Sequence, residues 1–276
     1  MGGCAQLLCG GGWERSDPAN QIGKDGPVTW AEIALLFAAG IGGGLTGSIA
    51  GLASVSTYPA LLMVGLPPVT ANVTNTVALV FNAFGSVRGS LPELVGQAPT
   101  LRRLVPVGVL GGLAGAVLLL SIPSEGFENA VPILLAVAAV AIALPRGKDT
   151  DDAPTARHLT LQAIAVGVIA VYGGFFGAAA GVLLLALFLR TGAKTLADAN
   201  ATKNVVLGSS NGAAAVVFAI VAPVHWPAVA AMGIGCLIGS RLGPTVVRHA
   251  PATPLRMLIA VAGLALAVKL GFDTYR

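Results

Sequence analysis

The chain has 276 residues, 55% of them hydrophobic and 10% charged, with a mean hydropathy of +0.83. Soluble domains carry about 25% charged residues, so this balance excludes a water-soluble fold. The net charge of +4 does not indicate a nucleic-acid partner, because the basic residues gather in short loops between apolar runs.

In chain order, residues 1–27 read as a Gly-rich tail containing Cys4 and Cys9. Met1-Gly2-Gly3-Cys4-Ala5-Gln6 lacks the Ser or Thr of a myristoylation signal, and the apolar stretch there is too short for a signal peptide. No charge falls between Ile33 and Val87, Leu104 and Ser124, Asn129 and Pro145, or Asn204 and Ser240. A helix spans bilayer hydrocarbon with about 20 apolar residues, so these gaps hold several spans. Five segments are expected in the first half, at 28–48, 51–65, 70–90, 103–121 and 128–145. Five more are expected at 158–178, 181–191, 196–222, 227–247 and 254–271. The polar, charged run from Pro145 to Pro154 separates the halves, giving repeat 1 at 28–145, a linker at 146–157 and repeat 2 at 158–272. The fold class is an all-α polytopic membrane protein with 8–10 membrane helices, placed in the cell membrane. A β-barrel would show short alternating segments instead.

The halves share a motif. Ala71-Asn72-Val73-Thr74-Asn75-Thr76-Val77-Ala78-Leu79 returns as Ala199-Asn200-Ala201-Thr202-Lys203-Asn204-Val205-Val206-Leu207, identical at five of nine positions at an offset of 128. Upstream, Gly47–Gly51 matches Gly177–Gly181 at an offset of 130. Loop charges argue that the repeats are inverted. The 88–103 loop carries Arg88, Arg102 and Arg103 where its counterpart at 222–227 has no Lys or Arg. The 121–128 loop has no basic residue, whereas its counterpart at 241–256 has Arg241, Arg248 and Arg256. An odd number of segments per repeat is what inversion requires. Eleven of the sixteen basic residues then fall on one face, which is expected to be cytoplasmic. Segments 2 and 7 are short, and read either as full spans or as re-entrant hairpins lining a cavity.

On helical wheels, Asn72, Asn75, Thr76, Asn82 and Ser86 fall within about 120° of arc on segment 3. Asn200, Lys203, Asn204, Ser210 and Asn211 do the same on segment 8. Two such stripes facing one another can replace the hydration shell of an oxyanion, and can equally be helix-to-helix glue. The expected substrate-binding set is Asn72, Asn75, Thr76, Asn82, Asn200, Lys203, Asn204 and Asn211. Lys203 lies about 13 Å along a helix from Lys194, so its ammonium needs a partner within the membrane. An anionic substrate, snorkelling and an internal pair all remain open as that partner. Asp198 is poorly phased to serve.

Other signals have plainer readings. Gly42-x-Gly44-x-x-Gly47 has no preceding strand, so it is not a dinucleotide fingerprint. The glycines four apart (Gly43/Gly47/Gly51, Gly173/Gly177/Gly181, Gly111/Gly115, Gly235/Gly239/Gly243) let helices approach closely, within a protomer or in a homodimer. Trp30 and Trp226 read as interfacial anchors, Glu32 as interfacial, His225 as a solvated loop residue and Cys236 as packing. No hydrolytic triad, metal-ligand cluster or P-loop is present in the sequence, so neither an enzyme nor a cofactor is expected.

Taken together, Ile41-Gly42-Gly43-Gly44-Leu45-Thr46-Gly47, Gly65-Leu66-Pro67-Pro68-Val69-Thr70-Ala71, Tyr172-Gly173-Gly174-Phe175-Phe176-Gly177 and Gly235–Gly243 resemble the TauE/SafE sulfite-exporter family over 30–271. The resemblance implies movement of a small sulfur-containing anion, such as sulfite or an organosulfonate, across the cell membrane. Where the family commonly has Thr-Ser, this chain has Thr74-Asn75 and Thr202-Lys203. The expected function is a secondary transporter, and more specifically an exporter, working by alternating access and driven either by a coupling ion, a proton or sodium, or by the substrate's own gradient. The alternatives are an anion channel or facilitator, and a non-transporting membrane scaffold.

Overall fold

The computed structural model describes residues 29–123, 156–178, 180–191 and 195–249, together with Val268. Its helices are α1 (Trp30–Ala50), α2 (Ala53–Met63), α3 (Pro68–Gly89), α4 (Ala98–Ser121), α5 (Ala156–Phe175), α6 (Ala180–Arg190), α7 (Leu196–Val221) and α8 (Trp226–His249). A 3-10 turn at Leu91–Leu94 joins α3 to α4, and no strand occurs among the described residues. The all-α polytopic expectation is borne out, and segments 1–4 and 6–9 each appear as one helix. The tail 1–27, segment 128–145, segment 254–271 apart from Val268, and the linker up to residue 155 lie outside the described residues.

Local chemistry sets the helix ends. Thr29 opens α1 with a capping box, its hydroxyl accepting from Glu32 N while the Glu32 carboxylate accepts from Thr29 N at 2.8 Å. Glu32 is therefore held as a cap. Thr195 caps α7 through Asp198 N, and proline stands at the start of α3 and α4. Five helices (α1, α4, α5, α7 and α8) are long and apolar enough to cross a bilayer. With 22 residues α3 is as long, but three asparagines make it more polar.

Helices pack mainly across the two halves rather than within them. The principal neighbours are α1 with α8, α4 with α5, α3 with α8, α4 with α7, and α3 with α7. Exchanging α1–α4 for α5–α8 turns this set of pairs into itself. Glycines make the contacts close: a Cβ on Gly40 or Gly44 would collide with the α8 backbone at Met232 and Cys236, and one on Gly239 with Ile41. Gly243 meets Ser48, so α1 and α8 run parallel. Gly111 faces Gly167 and Ala170 while Gly115 faces Val171 and Phe175, so α4 and α5 also run parallel. By the same register α3 runs with α8 (Gly85 on Leu237, Gly89 on Arg241) and α4 with α7 (Gly108 on Val206, Gly112 on Ser210). In contrast, α3 and α7 run antiparallel, with Ala83 on Gly208 and Ser90 on Asn204. Each of α1, α3 and α4 thus points opposite to its counterpart α5, α7 and α8. The Gly111/Gly115 and Gly235/Gly239/Gly243 rows are spent on these internal contacts, so they give no ground for a homodimer.

These pairings gather Arg88, Arg102, Arg103, Arg157, Arg190 and Arg241 at one end of the molecule. Trp30 and Trp226, the exposed first residues of α1 and α8, mark the other end.

Candidate substrate site

Two hairpin tips lie at the centre. The first helix of each half ends at a glycine in the left-handed region, Gly51 (φ +76) after α1 and Gly177 (φ +74) after α5. A short helix of 11 residues then turns back, α2 or α6. Eleven residues rise about 16 Å, roughly half the hydrocarbon thickness, so segments 2 and 7 do not cross as full spans. The tips touch: a Cβ on Gly51 or on Gly181 would collide with the other's backbone. The expected match of Gly47–Gly51 with Gly177–Gly181 is corrected here. The left-handed residues make Gly177 the counterpart of Gly51, an offset of 177 − 51 = 126, one helical turn away from 130.

Lys203 is fully buried, and its ammonium donates to Gly47 O at 3.0 Å and Ser48 O at 3.3 Å in the last turn of α1. A cation at a helix C-terminus meets the negative end of the backbone dipole. No carboxylate reaches it among the described residues. Asp198 instead spends its backbone on Thr195, Gln97 and Thr202. The sequence-equivalent Asn75 turns elsewhere, to Ser54 and Thr57 on α2. Asn72 does for α5 what Lys203 does for α1: its Nδ2 donates to Phe175 O at 2.9 Å, in the last turn of α5. Each half's third helix therefore ties down the first helix of the other half.

The remaining candidates divide into committed and uncommitted groups. Thr76 donates to Asn72 O, and Asn204 to Ser90 Oγ at 3.2 Å. Asn82, Asn200 and Asn211 make no side-chain hydrogen bond, and their amide oxygens are buried. Asn72 Oδ1 is likewise buried without a donor. Buried amides of this kind call for a ligand or ordered water. Asn82 lies directly over Gly47, whose carbonyl also holds Lys203, so these two belong to one locality.

The two stripes were expected to face each other, and no hydrogen bond joins a candidate on α3 to one on α7. The reason is steric: α3 and α7 cross at Ala83 and Gly208, and the hairpin ends supply the nearer polar partners. Nor do the eight residues form one small site. Asn200 and Asn211 are separated by about 16 Å along α7, which is the length of a path.

Sequence reasoning missed a pair of crossed contacts. The Thr202 hydroxyl donates to Gln97 Oε1 at the start of α4, and the Thr74 hydroxyl accepts from His225 N at 3.0 Å at the start of α8. Both threonines and both partners are related by 128 (202 − 74 and 225 − 97), so the offset already used could have found them. His225 is half-buried rather than solvated. Its Nδ1 accepts from Ala228 N at 3.2 Å and caps α8.

Against known proteins, the model of the sulfite exporter TauE/SafE family matches residues 35–270. The chain belongs to this family. It is 28% identical over 246 residues to a probable membrane transporter protein, ORF9, of a Sinorhizobium species, covering 87% of this chain and 93% of that protein. It is 24% identical over 244 residues to the probable membrane transporter protein YfcA of Escherichia coli strain K12, covering 88% and 91%. A probable membrane transporter protein of Haemophilus influenzae is 27% identical over 245 residues, covering 87% of this chain and 95% of the relative. No solved structure matches. As a TauE/SafE member with five candidate spans, the chain is a multi-pass membrane transporter and not an enzyme.

Proposed function

We propose that the chain is a secondary transporter of a small anion, a sulfur oxyanion or organosulfonate, and that it exports this anion by alternating access between two inverted halves. One observation carries the reading. Among the described residues, the Lys203 amine lies inside the membrane with peptide carbonyls as its only partners. Carbonyl dipoles stabilise the ammonium without neutralising it, and one of its three donors is left over. An anion entering beside it is the group that completes the charge. Asn82, at the same Gly47, and Asn200, one turn from Lys203, supply amide donors for the oxygens of a sulfonate or sulfite. Asn211 and Asn204 lie further along the path on α7, and Asn72, Asn75 and Thr76 line the counterpart on α3.

Inversion is supported by the antiparallel course of α3 and α7 and by packing pairs that survive exchange of the halves. Alternating access is favoured over an open channel by the contact between Gly51 and Gly181, which brings the two hairpin tips together. The test is a thermal-stability series in detergent with sulfite, thiosulfate, sulfoacetate, taurine and simple carboxylates. At least one sulfur oxyanion is expected to raise Tm in the wild type and to have no effect in Lys203→Met. An equal shift in both proteins removes Lys203 from the site, and no shift with any anion refutes the reading.

A further inference from the structure

A second cationic cluster lies away from the path, at the basic end, in the corner between α4, α5 and the end of α6. Arg103 donates through Nη2 to Gln162 Oε1, and Gln162 donates onward through Nε2 to Thr191 Oγ1 at 2.6 Å. Thr191 donates in turn to Leu187 O at 2.8 Å, so a chain of neutral groups fixes the guanidinium. Arg103 Nε is buried and has no partner. No carboxylate pairs with Arg103 among the described residues. Arg102, Arg157, His158 and Arg190, at the same end of α4, α5 and α6, are exposed. On α5, Leu161, next in the chain to Gln162, is 53% exposed, and Ile164, one turn further along the same outward face, is 58% exposed.

Arg103 does not serve the central site. It projects from the α5-facing side of α4, whereas Gly108 and Gly112 on the opposite side of that helix contact α7. The apolar cluster of Leu104, Leu184, Phe188 and Val206 lies between them. The residue related to Arg103 by 128 is Ala231, so the feature belongs to one half only. A guanidinium anchored by a neutral amide, with exposed basic residues at the same end of the helices and exposed apolar side chains on α5, matches a ligand with an anionic head and a hydrocarbon tail.

We propose that this corner binds the phosphate of an anionic phospholipid, with Arg103 as its central cation and Leu161 and Ile164 beneath the acyl chains. The site depends on the membrane placement of the helices and is independent of the transport reading. The full chain, purified in neutral detergent, is examined by native mass spectrometry and thermal shift with phosphatidylglycerol, phosphatidylcholine, or soluble glycerol phosphate. The wild type is expected to retain phosphatidylglycerol selectively and to gain stability from it, while glycerol phosphate gives no shift. Arg103→Gln is expected to lose the preference over phosphatidylcholine. Gln162→Glu, which places an internal carboxylate against the guanidinium, is expected to lose it too while keeping the helices tethered. Equal retention of both lipids by the wild type, unchanged selectivity in Gln162→Glu, or a full shift with glycerol phosphate alone overturns the proposal.

Discussion

Among the described residues the Lys203 ammonium meets two peptide carbonyls and no carboxylate, so it is held in place without a neutralising partner, and that separates it from an ordinary buried ion pair. Removing the charge while keeping the volume isolates what it does. In Lys203→Met, two charge-assisted hydrogen bonds are lost, each worth about 1.5–3 kcal/mol. A desolvation cost of several kcal/mol disappears with them. The ligand-free variant is therefore expected to melt no lower than the wild type, read by thermal denaturation, although it no longer responds to anions. Lys203→Ala makes the contrast, because the cavity it leaves should cost about 2–5 kcal/mol. A large loss of stability in the Met variant would mean that the lysine is chiefly a structural cap of α1. Position and polarity of Lys203 were legible in the sequence. Its partners were not, because Gly47 lies 156 residues away and the contact joins opposite halves.

At the scale of the element, the hairpin tips are the most constrained backbone in the described structure. Gly51 combines a left-handed φ with backbone contact to Gly181. Gly51→Ala is expected to destabilise by about 2–5 kcal/mol, combining strain of about 1–2 kcal/mol with overpacking of about 1–3 kcal/mol. Gly65 has a similar φ of +87 but open space around it, so Gly65→Ala should cost only the strain, about 1 kcal/mol. Denaturation of the two variants side by side checks this. Equal losses would mean that contact between the tips contributes nothing. Eight segments could be placed from the sequence because charges other than Lys203 are confined to their ends. The register of the glycine match could not, since glycines repeating every four residues fit offsets of 126 and 130 alike, and only the left-handed turn decides between them. The pairing of α1 with α8 was also hidden, because small residues announce close approach without naming the partner.

The crossed contacts Thr202–Gln97 and Thr74–His225 sit at opposite ends of the same pair of antiparallel helices. With both made, both ends are fastened, and loosening one should favour opening on that side. In Gln97→Leu, a cysteine introduced at Asn204 should be labelled faster by a thiol reagent applied from the basic end. In Thr74→Val, which leaves the basic end fastened, that labelling should not quicken. If both substitutions speed labelling equally, the contacts are general stabilisers rather than separate fastenings of the two ends.

For the molecule as a whole, the proposed export of an anion makes the sign of the cargo decisive for the energetics. A cell interior held negative pushes anions outward, with about 2.3 kcal/mol for each charge per 100 mV. For a monovalent anion moving alone, that corresponds to about a fifty-fold ratio at −100 mV, since each 1.36 kcal/mol is tenfold. Export therefore needs no coupled cation, whereas uptake against the potential would. The proposed path offers one cation in Lys203 and otherwise neutral amides, with no carboxylate among its described candidates to carry a proton. Purified protein in liposomes with a potassium diffusion potential can separate the cases. The steady-state ratio of a transported sulfonate should follow the imposed potential with a slope set by its own charge, at constant pH and without sodium. A ratio indifferent to the potential would mean that a cation travels with the anion, and an absolute sodium requirement would place coupling in a part of the path other than Lys203.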